Sequence, residues 1–424
     1  MVVVLRTGLI VWCCWLAVLA TAVGQDGGGD RSAALQNAAA SGSGPQLGGP
    51  RSVPGQISED QSLRAQRQIP LRPTERWFRF KQQLQATHGL QLNIDESLFF
   101  QAASESPGRD EGASGLVRVY GQWAPSFAQG EANSGMLVFK VENRHRIGSG
   151  VTPFDLGLES GSSVPTGTFF SDFPFGVTNL YWKQSLLDKR LSVVIGRIDV
   201  TDYVDPYGLM NPLTHFNNLA FSTNPTIAAP NPGLGVAFGA MLTDHLYLQG
   251  GLGDANGQTT TAGFDTFFEH AEYFSYLEFG ATTSQDRLYL DNVHATFWQT
   301  DARAAAGTPW GWGVAVTAQK FVEDTWLPFV RFGYSEGDLA LMQTTLSTGV
   351  GWLRENSDVV GLGVSWGQPA DGSLSEQFTS ELFYRLQVTD YLAITPDLQL
   401  IVDPALNPQA DAIGYIGVRV RFAF

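Results

Sequence analysis

The C-terminal end of the chain alternates strictly between two kinds of side chain. Its sequence is AIGYIGVRVRFAF, residues 412–424. One face carries Ile416, Val418, Val420, Phe422 and Phe424, and the other carries Tyr415, Gly417, Arg419 and Arg421. Because successive side chains of a pleated strand point to opposite faces, this period of two predicts a β-strand. An apolar face opposite an arginine-bearing face is typical of a barrel wall between lipid and water.

The same alternation recurs along most of the chain after residue 89. We expect strands near 90–103, 115–126, 134–147, 178–187, 190–200, 233–242, 246–255, 271–282, 287–299, 311–320, 325–333, 344–353, 358–367, 376–387, 392–402 and 412–424. Most are close to the roughly 9–11 residues that a tilted strand needs to cross a bilayer. The sequence therefore predicts an all-β fold, a transmembrane antiparallel β-barrel of about 16 strands preceded by a short N-terminal helix.

The connections between these segments alternate in length through the C-terminal half. This is the pattern of short periplasmic turns and longer external loops, with both termini on the periplasmic side. A soluble β-sandwich is the competing interpretation, but its outer faces would usually be charged, and here they are often Gly, Thr, Ser or Gln. Repeated tryptophans near strand ends also favour the aromatic girdles of a membrane barrel: Trp123, Trp182, Trp298, Trp312, Trp326, Trp352 and Trp366.

The N-terminal part of the chain divides into three segments ahead of a barrel over residues 89–424. Residues 1–24 contain one basic residue, an apolar run and a small-residue exit, as in a secretory signal peptide. Residues 25–73 are rich in Gly, Ser, Gln and Pro, which predicts a flexible lead-in. Residues 74–88 predict a short periplasmic-side helix. This helix could pack at the rim of the barrel or partly plug its lumen.

Composition excludes several classes of function. The formal net charge is −15, so the chain is a poor candidate for binding nucleic acid. Charged residues make up 16% of the chain, against about 25% in soluble domains. No catalytic constellation, metal-ligand set or cofactor motif stands out, and we expect neither an enzyme nor a metal or cofactor site.

Charged and polar residues fall on the faces opposite the apolar ones. A charge facing lipid costs about 2–4 kcal/mol near the bilayer midplane, so we expect these side chains to line the lumen. The predicted pore-lining residues are Arg118, Tyr120, Lys140, Glu142, Arg144, Arg146, Arg197, Asp199, Arg331, Glu381, Arg385, Asp397 and Arg419. They suit a polyhydroxylated neutral solute, and they equally suit a general pore or pairing among themselves.

Two long links, 148–177 and 201–232, interrupt the strand pattern. Links of this length in a compact β-fold are usually functional or fold into the barrel. The second is rich in aromatic residues and Asn-Pro pairs, and it predicts an inward-folded constriction loop, with an external cap as the alternative. The candidate constriction residues are Asp202, Tyr203, Asp205, Tyr207, Phe216 and Asn217.

Three segments resemble the carbohydrate-selective porin family, often called OprB-like. They are VVIGRIDVTDYVDPYG with its continuation through PNPGLGVAFGAMLTDHLYLQGGLGDANG, the closing VTDYLAITPDLQLIVDPALNP and GYIGVRVRF, and the opening WFRFKQQLQATHGLQLNIDES. The resemblance covers roughly residues 75–424. It implies an outer-membrane barrel of a Gram-negative-type bacterium that passes small sugars by passive diffusion. The long lead-in and link 148–177 depart from the family pattern.

The resemblance and the residues leave several partners open. Small sugars would be the permeating solutes, outer-membrane lipid would cover the apolar faces, and the barrel-assembly machinery would recognise Phe424. The oligomeric state is open. A non-selective general diffusion porin is the alternative function, followed by a structural or adhesive barrel of the cell envelope.

Overall fold

The structure is a computed structural model that describes residues 48–63, 72–130, 132–148, 150–354 and 357–424. The predicted signal peptide, residues 1–24, lies outside the described residues. So does most of the predicted lead-in, over 25–47 and 64–71.

Sixteen antiparallel strands close into one barrel, in which each strand pairs with its neighbours in sequence and β1 pairs with β16. The predicted fold and strand number are therefore confirmed. The strands are β1 Leu90–Ala103, β2 Glu111–Trp123, β3 Ser134–Arg146, β4 Phe173–Leu186, β5 Leu191–Ile198, β6 Gly233–Met241, β7 Leu246–Asp254, β8 Tyr273–Thr282, β9 Asn292–Thr300, β10 Gly311–Gln319, β11 Trp326–Glu336, β12 Met342–Leu353, β13 Val359–Pro369, β14 Gln377–Thr389, β15 Leu392–Val402 and β16 Ala412–Ala423.

Burial alternates along the strands as the sequence predicts. In β11, Phe329 and Arg331 are buried. The alternating residues Val330 and Phe332 are 50% and 39% exposed. The exposed side chains form the outer surface and are largely apolar, and the buried ones point into the lumen. The same phase holds in β16, where Val418 is exposed and Arg419 is fully buried.

The two ends of the barrel differ in their connections. We call the end where β1 begins and β16 ends the terminal rim, and the opposite end the loop rim. The links at the terminal rim include 187–190, 242–245 and 390–391, and the long links 147–172 and 199–232 lie at the loop rim. The backbone of Phe424 closes the barrel at the terminal rim by donating to the carbonyl of Ile94 at 2.7 Å.

Four α-helices occur in the described parts of the chain. They are α1 Val53–Ser62, α2 Arg72–His88, α3 Pro153–Ser160 and α4 Leu219–Ser222. None of them is long and apolar enough to cross a membrane.

Helix α2 lies at the terminal rim. Trp123 Nε1 donates to the carbonyl of His88 at 3.1 Å, and Lys81 Nζ donates to Asn93 Oδ1 at 2.8 Å. Gly89 directly follows the helix with a φ of +68°, and a Cβ there would lie 2.3 Å from the carbonyl oxygen of Ala124. Glycine is therefore required for the tight turn from α2 into β1.

Helix α1 is a departure from the predicted flexible lead-in. Residues 48–63 belong to that segment, yet Val53–Ser62 within them form a helix whose Val53 and Ile57 are almost fully buried. Ser52 caps the helix by accepting from the backbone N–H of Gly55 at 3.3 Å, and Pro54 occupies its first turn. The segment is low in hydrophobic residues, which predicts a flexible chain. The helix forms nonetheless, because most of its contacts to the barrel are polar.

Candidate functional site in the lumen of the barrel

The predicted pore-lining residues lie on or beside the inward faces of the strands. All of them are buried except two: Arg144 is partly exposed, and Arg146, the last residue of β3, is exposed. They do not form one continuous ring. The structure divides them among several hydrogen-bonded groups that engage α1 and the long links.

One group lies near the terminal rim and joins strands β1, β2 and β16 to α1. The guanidinium of Arg118 donates through Nε to Asp95 Oδ1 at 2.8 Å, and Arg421 Nη2 donates to Asp95 Oδ2 at 2.8 Å. Arg421 Nη1 also donates to Asp60 Oδ1 at 2.7 Å, and Tyr120 donates its hydroxyl proton to Asp60 Oδ2 at 2.5 Å. Asp60 belongs to α1, so the helix completes this network inside the barrel.

A second ion pair holds α1 to strand β14, which lies two strands from β16 in the barrel. Arg385 Nη1 of β14 lies 2.8 Å from Glu59 Oε1, and Thr214 Oγ1 donates to the other carboxylate oxygen at 3.3 Å. Burial alone would raise the pKa of Glu59, but Arg385, with His215 and Arg421, lowers it to about 2. Glu59 is therefore a carboxylate at neutral pH.

Asp205 anchors link 199–232 to strands β9, β10 and β11. Its carboxylate accepts from Arg331 Nη2 at 2.6 Å and from Thr317 Oγ1 at 2.6 Å, and it lies 2.8 Å from His294 Nε2. Arg331 also donates to the carbonyl of Thr223 at 2.7 Å. The structure thus brings two predicted residues, Asp205 and Arg331, together from distant parts of the chain.

The middle of the same link, at Asn217 and Asn218, is held by strands β14, β15 and β16. The backbone N–H groups of Asn217 and Asn218 donate to the carboxylate of Glu381 at 2.6 and 2.8 Å. Arg419 Nη1 donates to Asn217 Oδ1 at 2.8 Å, and Asn217 Nδ2 lies 3.4 Å from Asp397 Oδ2. Four predicted residues, Glu381, Asp397, Arg419 and Asn217, therefore meet in one network.

The remaining predicted pore residues lie nearer the loop rim or along β3. Arg197 donates to the backbone carbonyls of Val177, Gln258 and Ala262. Asp199 caps a short helical turn by accepting from the backbone N–H of Thr201 at 3.0 Å.

On β3, Arg144 pairs with Glu142 at 2.9 Å, and Lys140 is 2% exposed. Pairing among these charges, the alternative left open above, therefore describes much of this lumen.

The candidate constriction residues are all buried inside the barrel. Tyr203, Tyr207 and Phe216 are fully buried, so link 199–232 is not an external cap. Burial raises the pKa of Asp202 to about 7, and the neighbouring Asp199 acts in the same direction.

Link 147–172 also folds inward. Thr166 Oγ1 donates to Gln101 Oε1 at 2.7 Å, and Ser160 Oγ lies 2.6 Å from the hydroxyl of Tyr415. Thr168 Oγ1 donates to the carbonyl of Asn217 at 2.7 Å, which ties the two long links to each other.

An aromatic group on β8 and β9, which the sequence pattern did not assign to the interior, faces the lumen. We call Phe274, Tyr276 and Trp298 the aromatic wall. Phe274 and Trp298 stack with centroids 5.9 Å apart, and Tyr276 follows Phe274 on the same face of β8. All three are at most 6% exposed.

The prediction that Trp298 belongs to a lipid-facing girdle is wrong. It shares the inward phase with His294, and its neighbour Phe297 is 59% exposed instead. Because Phe297 and Trp298 are adjacent aromatic residues, the sequence alone did not show which of them faces outward. A signal was available in Gly313 of the next strand, where a Cβ would lie 2.5 Å from Trp298 Nε1 and so leave no room for the indole.

Comparison with known proteins places the chain in a family. The model of the carbohydrate-selective porin, OprB family, matches residues 174–289 and 257–424. A search of the curated proteins found no match.

Among solved structures, the high-pH structure of Pseudomonas putida OprB is similar, with 15% identity, 82% of this chain and 97% of that chain covered, and a TM-score of 0.65. The low-pH structure of the same protein has 12% identity, covers 83% of this chain and 97% of that chain, and has a TM-score of 0.49.

The match to the family model extends over more than half of the chain, and the closed barrel of sixteen strands agrees with it. The lumen contains polar and aromatic side chains, and the outer surface is largely apolar. This chain therefore belongs to the carbohydrate-selective porin family and is a sugar-selective channel of the outer membrane, not an enzyme.

Proposed function

We propose that small sugars diffuse through this barrel past the aromatic wall, and that link 199–232 narrows the path. The aromatic wall is the single observation that carries this assignment. The other predicted pore-lining residues contribute by holding the link and by presenting charge to the water around it.

The aromatic wall offers what a sugar needs from a protein surface. The apolar face of a pyranose ring packs against aromatic rings, and its hydroxyls exchange hydrogen bonds with side chains. Within the described residues, the Tyr276 hydroxyl and Trp298 Nε1 are buried without a hydrogen-bond partner. Two polar atoms beside stacked rings suit a polyhydroxylated solute better than an inorganic ion.

The anchoring of link 199–232 supports its role as the constriction. It is tied to the wall on one side by Asp205 with Arg331 and on the other by Asn217 with Glu381. A link held inside the barrel at these two points keeps a constant aperture, because neither point can move without breaking charge-assisted hydrogen bonds.

The orientation in the membrane follows from the rims. Outer-membrane barrels carry short turns on the periplasmic side and long loops outside. We infer that the terminal rim, with both chain ends and α2, faces the periplasm. On this orientation Phe424 is available to the assembly machinery at that side. The number of subunits is left open.

Single-channel currents of the full chain, recorded with and without a monosaccharide, test the proposed path. Sugar should reduce the current of the open channel, and Trp298→Phe should weaken this block by about threefold or more because indole area and the Nε1 donor are lost. The matched control is Trp312→Phe, since Trp312 lies on the outward face of β10. Equal sugar block in both variants would contradict the assignment of the path.

A further inference from the structure

Helix α1 occupies the interior of the barrel. It lies between strands of the wall and link 199–232, with Asp60 bonded to Tyr120 and Arg421 and Glu59 paired with Arg385. The helix runs from beside the link to the terminal rim. A solute crossing the barrel would meet it.

The apolar side of α1 packs into the buried cluster that also contains the aromatic wall. Val53 and Ile57, one helical turn apart, are 0% and 2% exposed. They belong to one contiguous buried cluster with Tyr203, Tyr276 and Trp298. The same cluster therefore contains the helix, the constriction link and the aromatic wall.

The polar side of α1 carries two carboxylates that pair with arginines of the barrel wall. Arg385 and Arg421 point into the lumen, and both meet an acidic residue of α1 at 2.7–2.8 Å. The side chains of Glu59 and Asp60 are only 18% and 8% exposed. These pairs are desolvated enough to matter energetically, unlike ion pairs on a protein surface.

The N-terminal end of residues 48–63 packs against link 199–232. The backbone N–H of Gly49 donates to the carbonyl of Asp202 at 2.9 Å. A Cβ added at Gly49 would lie 2.7 Å from Pro206 Cβ and 2.9 Å from Met210 Sδ. The segment thus contacts the link along its length, from Gly49 to the pair of Glu59 with Thr214.

We propose that residues 48–63 are a built-in plug that closes the sugar path when docked and opens it when they leave the lumen through the terminal rim. The plug belongs to the same buried cluster as the aromatic wall, and its carboxylates pair with Arg385 and Arg421. This inference rests on the proposed function only in requiring that the barrel conducts once the plug is absent. It adds a regulatory element that a simple diffusion pore does not need.

Deletion of residues 48–63 tests the plug directly. We compare single-channel conductance and monosaccharide flux of the full chain with those of the deletion variant, after confirming its barrel by far-UV circular dichroism. The deletion should raise the time-averaged conductance about tenfold or more. Equal, non-zero conductance of the two proteins would overturn the plug and leave the proposed function intact. No conductance in either would overturn the proposed function as well.

Charge variants separate the ion pairs from simple steric filling. The full chain carrying Glu59→Gln and Asp60→Asn should be open about tenfold more often. Glu59→Gln leaves Arg385 without its carboxylate on α1, and Asp60→Asn removes the ion pair between α1 and Arg421, which keeps its ion pair with Asp95. The matched control carries Glu105→Gln and Asp110→Asn, two exposed acids of the link between β1 and β2. An equal effect of both pairs would contradict the docking contacts.

A reducible lock and an added peptide complete the test. In Gly49→Cys with Pro206→Cys, the two Cβ positions lie 2.7 Å apart, so a small outward shift of residue 49 reaches the usual disulfide Cβ separation of about 3.8 Å. The oxidised channel should stay closed, and reduction should restore the conductance of the full chain. A synthetic peptide of residues 48–63 should block the deletion variant from the terminal-rim side. A peptide with both acids neutralised should block at least about tenfold more weakly, and equal block by the two would overturn the role of the carboxylates.

Discussion

Replacing Arg331 by methionine should release link 199–232 from the barrel wall. Arg331 donates to Asp205 Oδ2 at 2.6 Å and to the carbonyls of Phe221 and Thr223 at 2.9 and 2.7 Å. Methionine is also long and unbranched, so it fills much of the same space without supplying a donor. The substitution therefore removes the ion pair and its hydrogen bonds with little change in packing.

The expected magnitude follows from the burial of the pair. Arg331 is 2% and Asp205 1% exposed, and removing one partner of such a pair costs about 3–5 kcal/mol. His294 and Thr317 continue to bond Asp205, which offsets part of this cost. We expect the docked link to lose about 3 kcal/mol relative to the released link, on the order of 100-fold in its equilibrium constant.

Hydrogen exchange measures this loss, provided that link and strand amides are followed separately. Amides in the link, such as that of His215, which bonds to the carbonyl of Asn211, should exchange on the order of 100-fold faster. Strand amides should keep their protection. The control is Arg190→Met, which breaks an exposed ion pair with Asp244 and should cost less than about 1 kcal/mol. Unchanged exchange of the link amides in the Arg331 variant would refute the claim that Arg331 holds the link to the barrel wall.

Three further predictions concern other parts of the chain. The folded pKa of Glu59, about 2, lies below its ordinary 4.5, so its contribution to docking is complete above about pH 4.5 and is lost towards pH 2. The conductance of the full chain should rise on acidification over that window, and Glu59→Gln should remove this dependence; an unchanged pH profile in the variant would count against it. Deleting Phe424 removes the backbone bond to Ile94 and should reduce the fraction of heat-modifiable, assembled barrel in membranes, whereas normal assembly would exclude a role for the residue. Gly89→Ala should lower the melting temperature, because it strains a positive φ and crowds the carbonyl of Ala124, and an unaltered melting temperature would argue against that strain.

The barrel could be predicted because each strand carries its own evidence. A period-two pattern with an apolar outer face is a local signal, so β1 was expected over 90–103 and runs Leu90–Ala103. The pattern failed where local pairing competes with it. A strand was expected from residue 287, but Arg287 and Asp291 pair at 2.6 Å with helical spacing, and β9 begins only at Asn292.

The sequence indicated which kinds of side chain face the lumen, but not which of them bond to each other. The sequence indicated that Arg331 faces inward, but its partner Asp205 is 126 positions away, and nothing local links them. The structure reveals such pairs, while the contribution of each predicted pore-lining residue to sugar passage stays a prediction.

Helix α1 escaped prediction for a related reason. Its apolar contact depends on two residues, Val53 and Ile57, in a segment rich in Gly, Ser and Pro. The remaining signal was Ser52 followed by Pro54, an N-cap with a proline in the first turn. Most of what holds the helix comes from arginines on strands far along the chain, which no local pattern can indicate.

Swelling of liposomes in an isosmotic monosaccharide tests the central claim, a sugar path that α1 closes, most directly. Vesicles with the full chain should swell faster than protein-free vesicles, and vesicles with the variant lacking residues 48–63 should swell faster still. Neither should swell in an isosmotic neutral polymer too large for the barrel. Swelling in the monosaccharide no faster than that of protein-free vesicles, for both the full chain and the variant, would contradict the account.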